Sequence, residues 1–139
     1  MDTTGVSRHL GIHIDRSVTD VYACARDPAN LPAWALGLGG SIERIDGRWV
    51  AESAPMGRVV VTFVAANDLG VLDHDVTLPS GETVRSPLRV IADGAGSEVV
   101  FTLRRRPGTT DTEFQRDADM VLADLRRLKN LLETTTDRR

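Results

Sequence analysis

Among the three histidines of this chain, His74 has the setting best suited to chemistry. It lies in the alternating run from Val71 to Leu78. Leu72, His74, Val76 and Leu78 take one face of a strand, and Asp73, Asp75 and Thr77 take the other. The imidazole therefore points to the aliphatic side. A second run repeats the pattern: Val84, Ser86, Leu88, Val90 and Ala92 share a face opposed to Arg85, Pro87 and Arg89. Between the runs, Pro79-Ser80-Gly81 fits a three-residue hairpin loop with glycine where φ must be positive. That loop pairs Leu78 with Glu82, Val76 with Val84 and His74 with Ser86. On the outer face it sets Asp75 against Arg85, a favourable cross-strand pair. A two-residue loop would slip the register by one and oppose apolar to polar residues.

A buried imidazole needs a hydrogen-bond partner, and Ser86 is at hand. Desolvation lowers its pKa and keeps the ring neutral near pH 7. Neutral imidazole can accept and donate, which suits a general base or a ligand anchor. Three readings stay open: a core histidine satisfied by Ser86 or water, a ligand contact, and an acid–base catalyst.

The other candidate groups are quieter. His9 and His13 alternate with Leu10, Ile12 and Ile14 on the polar face of a first strand. No third ligand is near them in sequence, so a metal role is not expected. Cys24 is the sole cysteine, cannot close an internal disulfide, and reads as a small buried residue. Trp34 either anchors a short helix on the sheet or touches a ligand. Trp49 shares a face with Ala51 and Ser53, as core or as cavity wall. Arg104-Arg105-Arg106, before Pro107-Gly108, reads as a solvated strand edge. Asp117 and Asp119 fall on the flank and solvated side of a helix. The sequence has no glycine-rich phosphate loop after a strand, no zinc-ligand spacing, no nucleophile elbow and no H-E-x-x-H. No cofactor or metal is expected, while acid–base chemistry on a bound molecule stays open.

The element that must hold these groups together is the stretch Thr112 to Glu133. Phe114, Ala118, Val121, Leu122, Leu125, Leu128 and Leu132 recur at helical spacing and form one apolar stripe. Thr112 with Gln115, or Thr110 with Glu113, supplies a capping box. A helix of about 22 residues is roughly 33 Å long. Its stripe needs a cover, and the rest of the chain is mostly strand-like. A first strand contains Leu10 to Ile14. A short helix starts at Asp15 or Ser17 and ends at Asp27-Pro28, and a second short helix or turn spans Asn30 to Trp34. Six strands follow: Ser41–Ile45, Arg48–Ser53, Arg58–Ala65, Val71–Leu78, Glu82–Asp93 and Glu98–Arg105. Their short connections force antiparallel neighbours. Val59, Val61 and Phe63 share one face, as do Val99, Phe101 and Leu103.

The chain has 139 residues, enough for a single domain with one core. Residues 1–6 and 134–139 read as disordered tails. A net charge of −3 disfavours nucleic acid as a partner. There is no signal peptide pattern and no stretch long enough to insert in a bilayer, so a cytoplasmic location is expected.

One strand, two short helices, six meandering strands and a long C-terminal helix resemble the helix-grip fold of the SRPBCC superfamily. That superfamily includes the START lipid-transfer domains, the birch-pollen-allergen type and the bacterial polyketide cyclase/dehydrase type. The residues IHIDRSVTDVYACARDPANLPAW resemble its opening strand, helix and tryptophan. LDHDVTLPSGETVRSPLRV and GSEVVFTLRRRPG resemble the polyketide-cyclase-like bacterial branch. The resemblance implies an α+β architecture, a seven-stranded curved antiparallel sheet wrapped around the C-terminal helix with a cavity between them. Strand and helix alternation then selects His74, Ser86, Trp49, Phe63, Leu72, Val76, Leu88, Phe101 and Leu125 as candidate ligand contacts. The leading expectation is binding of a small hydrophobic molecule, polyketide-, aromatic- or lipid-like. A first alternative is a polyketide cyclase or dehydratase using His74 as acid/base with Ser86 as its partner. A second is a protein-partner module without ligand. Leu36 and Leu38 are the apolar residues such a partner, or a second copy in a homodimer, would use.

Overall fold

The computed structural model describes residues 6–54 and 56–134. The expected disordered tails therefore lie outside the described residues, except for Val6 and for Thr134, which ends the long helix.

Strand β1 (Ser7–Ile14) opens the chain. Helix α1 (Val18–Arg26) follows, with Ser17 as N-cap: its hydroxyl accepts from the Asp20 N–H at 3.2 Å. Asp27 ends α1 and starts a single 3-10 turn at Pro28–Asn30, which runs into the four-residue helix α2 (Leu31–Trp34). Then come β2 (Ile42–Ile45), β3 (Arg48–Ser53), β4 (Gly57–Phe63), β5 (His74–Thr77), β6 (Thr83–Ser86), β7 (Leu88–Asp93) and β8 (Gly96–Arg104). Helix α3 (Asp111–Thr134) completes the chain. Its start is the Thr110/Glu113 capping box: the Glu113 N–H donates to Thr110 Oγ1 at 3.1 Å, and the Thr110 N–H donates to the Glu113 carboxylate at 2.9 Å.

The expected hairpin register is observed, with His74 opposite Ser86, Asp75 opposite Arg85 and Val76 opposite Val84. Gly81 holds φ at +93° in the loop, and the Leu78 N–H donates to the Glu82 carbonyl at 2.8 Å. On the outer face Arg85 Nε donates to Asp75 at 2.6 Å.

The sheet departs from the expectation in one respect. The described residues form eight strands in two antiparallel sheets, ordered β1-β8-β7 and β2-β3-β4-β5-β6. The run Glu82–Asp93, expected as one strand, is cut at Pro87. Proline has no N–H to give a ladder, so the chain changes partner there. Before the cut, β6 pairs with β5; after it, β7 pairs with β8 and with the segment at Gly70–Leu72. Asp73 repairs the break: its carboxylate accepts the Leu88 N–H at 2.9 Å and the Arg89 guanidinium at 2.8 Å through each oxygen. Gly70 permits this crossing. At φ +76° it lies so close to β7 that a Cβ would stand 2.2 Å from the Val90 carbonyl oxygen.

Helix α3 lies across the inner face. Ala118, Leu125, Leu128 and Leu132 are buried in one core with Ile14, Val21, Val59, Val61 and Val99, and Phe114 is buried as well. Its C-terminal end is fastened to the end of β1 and the start of α1. Lys129 donates to the His13 carbonyl, Arg16 to the Leu132 carbonyl, and the Asp15 N–H to Glu133. Its N-terminal half is held differently. Arg105 donates to Asp111 and the Thr109 carbonyl and stacks over Phe114, so the basic cluster is not simply a solvated edge.

Candidate functional site

Between the two sheets and α3 lies a cavity of about 390 Å³. Strand order explains its wall. Phe63, His74 and Ser86 form one cross-strand row over β4, β5 and β6, and Val76 and Val84 belong to the next row. Leu88, Phe101 and Leu103 add the wall from β7 and β8, and Val121 and Leu125 close it from α3. Trp34, Ala35, Gly37 and Leu38, with Met56 and Met120, bound another side. Val121 is only half-buried because its part of the stripe faces this space rather than packed side chains.

His74 is 5% exposed. Its Nδ1 lies 3.0 Å from the Leu72 carbonyl oxygen. A carbonyl can only accept, so Nδ1 must carry the proton. Burial holds the imidazole below its ordinary pKa, so it is neutral near pH 7 and Nε2 keeps its lone pair. Nε2 has no protein partner among the described residues and is not sealed off, which leaves it open to the cavity its ring lines. Phe63 and Phe101 flank the ring at centroid distances of 5.0 and 6.4 Å. Ser86 shares the row but is not the partner of His74; the backbone of Leu72 takes that place.

Two other expected contacts lie elsewhere. Trp49 stands in the row of Val61 and Val76, but two strands toward the β2 edge, about 10 Å from β5. The Arg44 guanidinium covers it at 5.8 Å, so Trp49 does not line the cavity. Leu72 is 1% exposed and belongs to the core, because its segment leaves the line of β5 to pair with β7. Phe63, Val76, Ser86, Leu88, Phe101 and Leu125 all line the cavity with His74.

The structure also brings in charged groups that the sequence did not select as ligand contacts. Asp117 and Asp124 of α3 and Arg106 after β8 line the cavity. Asp124 bonds Arg127 at 2.5 Å and accepts the Gly37 N–H at 3.3 Å, while Ser53 donates to the Gly37 carbonyl at 3.0 Å. The loop after α2 is thus pinned between α3 and β3. Burial pushes the Asp124 and Asp117 carboxyls above their ordinary values. Their spacing was a usable signal: Asp117, Val121, Asp124 and Leu128 share a helix face. Arg106 bonds Glu82 at 2.5 Å.

The remaining candidates divide between the surface and the cavity. His9 bonds Thr102 and His13 bonds Asp93, each at 3.0 Å. Cys24 is half-buried, and burial pushes its thiol up. Trp34 is buried, with Nε1 the one sealed side-chain polar atom lacking a partner among the described residues. Leu36 is exposed, whereas Leu38 lines the cavity. No helix of the described residues is long and apolar enough to cross a membrane.

A long helix gripped by curved antiparallel strands, with an apolar cavity beneath it, defines a helix-grip α+β protein of the SRPBCC type. Residues 6–133 match the family described as polyketide cyclase / dehydrase and lipid transport, and the chain belongs to that family. Solved structures agree on the fold. The Aha1 dimer from Colwellia psychrerythraea matches with a TM-score of 0.73 at 15% identity, over 95% of this chain and 99% of that one. The protein XoxI from Bacillus cereus matches with a TM-score of 0.71 at 12% identity, over 96% and 99%. DynU16, a protein in the dynemicin biosynthetic locus, matches with a TM-score of 0.68 at 14% identity, over 96% of this chain and 48% of that one. No curated protein matches by sequence.

Proposed function

We propose that this protein binds a small, mostly apolar molecule in the cavity under α3. One observation carries the reading: a mostly apolar wall presents an unpaired, neutral imidazole nitrogen beside a few polar groups. Binding pockets are commonly of this kind, mainly apolar with a few polar groups that orient the ligand, and about 300–1,000 Å³ in volume. The family's description, which names both polyketide chemistry and lipid transport, supports a hydrophobic ligand. So does the likeness to a protein of a biosynthetic locus. The test is a thermal-shift screen with native mass spectrometry, using aromatic polyketides, fatty acids and sterol-like compounds. A binder raises the melting temperature in proportion to its occupancy. A screen in which no compound shifts the melt or adds mass would defeat the proposal.

A second reading, a cyclase or dehydratase, draws on the Nδ1–Leu72 bond. That bond fixes the tautomer in which Nε2 is a base facing the ligand. Nε2 would take a proton from the carbon next to a carbonyl. The enolate would attack a second carbonyl of the same molecule, and the resulting alkoxide would recover the proton from Nε2. Under this reading His74→Gln abolishes turnover of a bound poly-β-ketone mimic while the melting temperature stays close to wild type. Retained turnover in that variant would rule His74 out as the base.

A further inference from the structure

The cavity's polar groups are biased toward accepting hydrogen bonds. His74 spends its one N–H on Leu72 and offers a lone pair at Nε2. Asp117 presents a carboxylate, and that of Asp124 is held by Arg127 and the Gly37 N–H. Among the described residues the one cation on the wall, Arg106, is paired with Glu82 at 2.5 Å, and Arg127 is paired with Asp124 at 2.5 Å. The other donors, the Ser86 hydroxyl and the sealed Trp34 N–H, are neutral. A carboxylate entering this space meets the Asp117 charge and, among the described residues, no unpaired cation, and leaving water without a counter-charge is costly. A hydroxyl, by contrast, finds an acceptor waiting. The wall beside that acceptor is aromatic on both sides, from Phe63 and Phe101, which suits a flat ring.

Resting on the ligand-binding function proposed above, we infer that the cavity selects an uncharged aromatic alcohol, whose hydroxyl donates to His74 Nε2, and rejects carboxylates. Fatty acids and aromatic acids fall outside its range, although their apolar bodies would fit.

Isothermal titration of the full chain at pH 7.5 with three probes of one ring system tests this: 2-naphthol, 2-methoxynaphthalene and 2-naphthoate. The naphthol is expected to bind about 3- to 10-fold tighter than the ether, the contribution of one net hydrogen bond, and the naphthoate weakest. In His74→Phe the naphthol and ether should become equal within about two-fold, since the phenyl ring keeps the shape but not the lone pair. Asp117→Asn, at the exposed end of the wall, should tighten naphthoate alone. Naphthoate binding as well as naphthol, or naphthol and ether binding alike in the wild type, overturns the selectivity and leaves the binding site standing. Failure of all three probes to bind at millimolar concentration overturns the site as well. The wild-type comparison is complete without a variant that must fold.

Discussion

Nδ1 of His74 and the carbonyl oxygen of Leu72 are 3.0 Å apart, two residues removed on one continuous segment. This local bond sets the tautomer of the imidazole and turns its free nitrogen toward the cavity. It also links the site to pH. Burial holds His74 below its ordinary value of 6.5, so in the folded protein it binds fewer protons than in the unfolded chain. Stability from this group is complete above about pH 6.5 and is lost as pH falls through the unfolded value toward the folded one. Asp73 and Asp75 favour the charged ring and soften the loss, while Arg85 and burial deepen it. Thermal melts from pH 7.5 to 5 should therefore decline more steeply in wild type than in His74→Gln. Equal slopes would place the acid sensitivity elsewhere.

Asp73 closes the gap that Pro87 opens between the sheets. It is buried and accepts from both the Leu88 N–H and the Arg89 guanidinium, and the latter bond holds its carboxyl below the usual range. Asp73→Ala should cost about 2 kcal/mol, since the Leu88 N–H loses its partner. Chemical denaturation checks it. The Asp73 contribution is present above the ordinary carboxylate range and is lost as pH falls through the depressed folded value. The deficit of the variant should therefore shrink in strong acid.

The stripe on α3 divides into packed and cavity-facing parts. Leu128 is fully buried among core residues, so Leu128→Ala should cost about 2–5 kcal/mol. Val121 borders the cavity and is half-buried, so Val121→Ala should cost less than about 1.5 kcal/mol, because fewer neighbours lose contact. A larger loss at Val121 than at Leu128, by urea titration, would mean the space is filled.

Trp34 and Trp49 are the two tryptophans, and only Trp34 lines the cavity. Any ligand-dependent change in tryptophan fluorescence should survive Trp49→Phe and vanish in Trp34→Phe. The reverse pattern would put the ligand near the β2–β3 edge instead.

Much of this was readable from local pattern. Period-two alternation placed His74 inside with Val76 and opposite Ser86, and the Pro79-Ser80-Gly81 turn set the register, because both depend on residues close in sequence. The helical stripe followed from spacing, which also offered two capping boxes, of which the structure uses Thr110/Glu113. The break at Pro87 was also written in the sequence, as a residue without an N–H, but its consequence was not. Two sheets result only because Gly70 and Asp73 lie beside β7 and supply the missing partners.

Alternation named the inner face of each strand, but not how far along the sheet the cavity extends. Trp49 faces inward yet lies two strands away from the wall formed by β5, and Leu72 is drawn into the core by a change of partner. Asp117 read as a flank residue and is exposed, but it also borders the cavity; Asp124, which no pattern singled out, is held there by the loop after α2. The sequence by itself determined the elements, their facing and the hairpin that carries the imidazole, since backbone sterics and hydrophobic period act over a few residues. Tertiary structure alone decided which inward side chains border open space, and that Leu72 rather than Ser86 orients His74. The first depends on how distant segments pack; the second is a short-range bond, but Leu72 takes its place only because its own N–H pairs with distant Leu88.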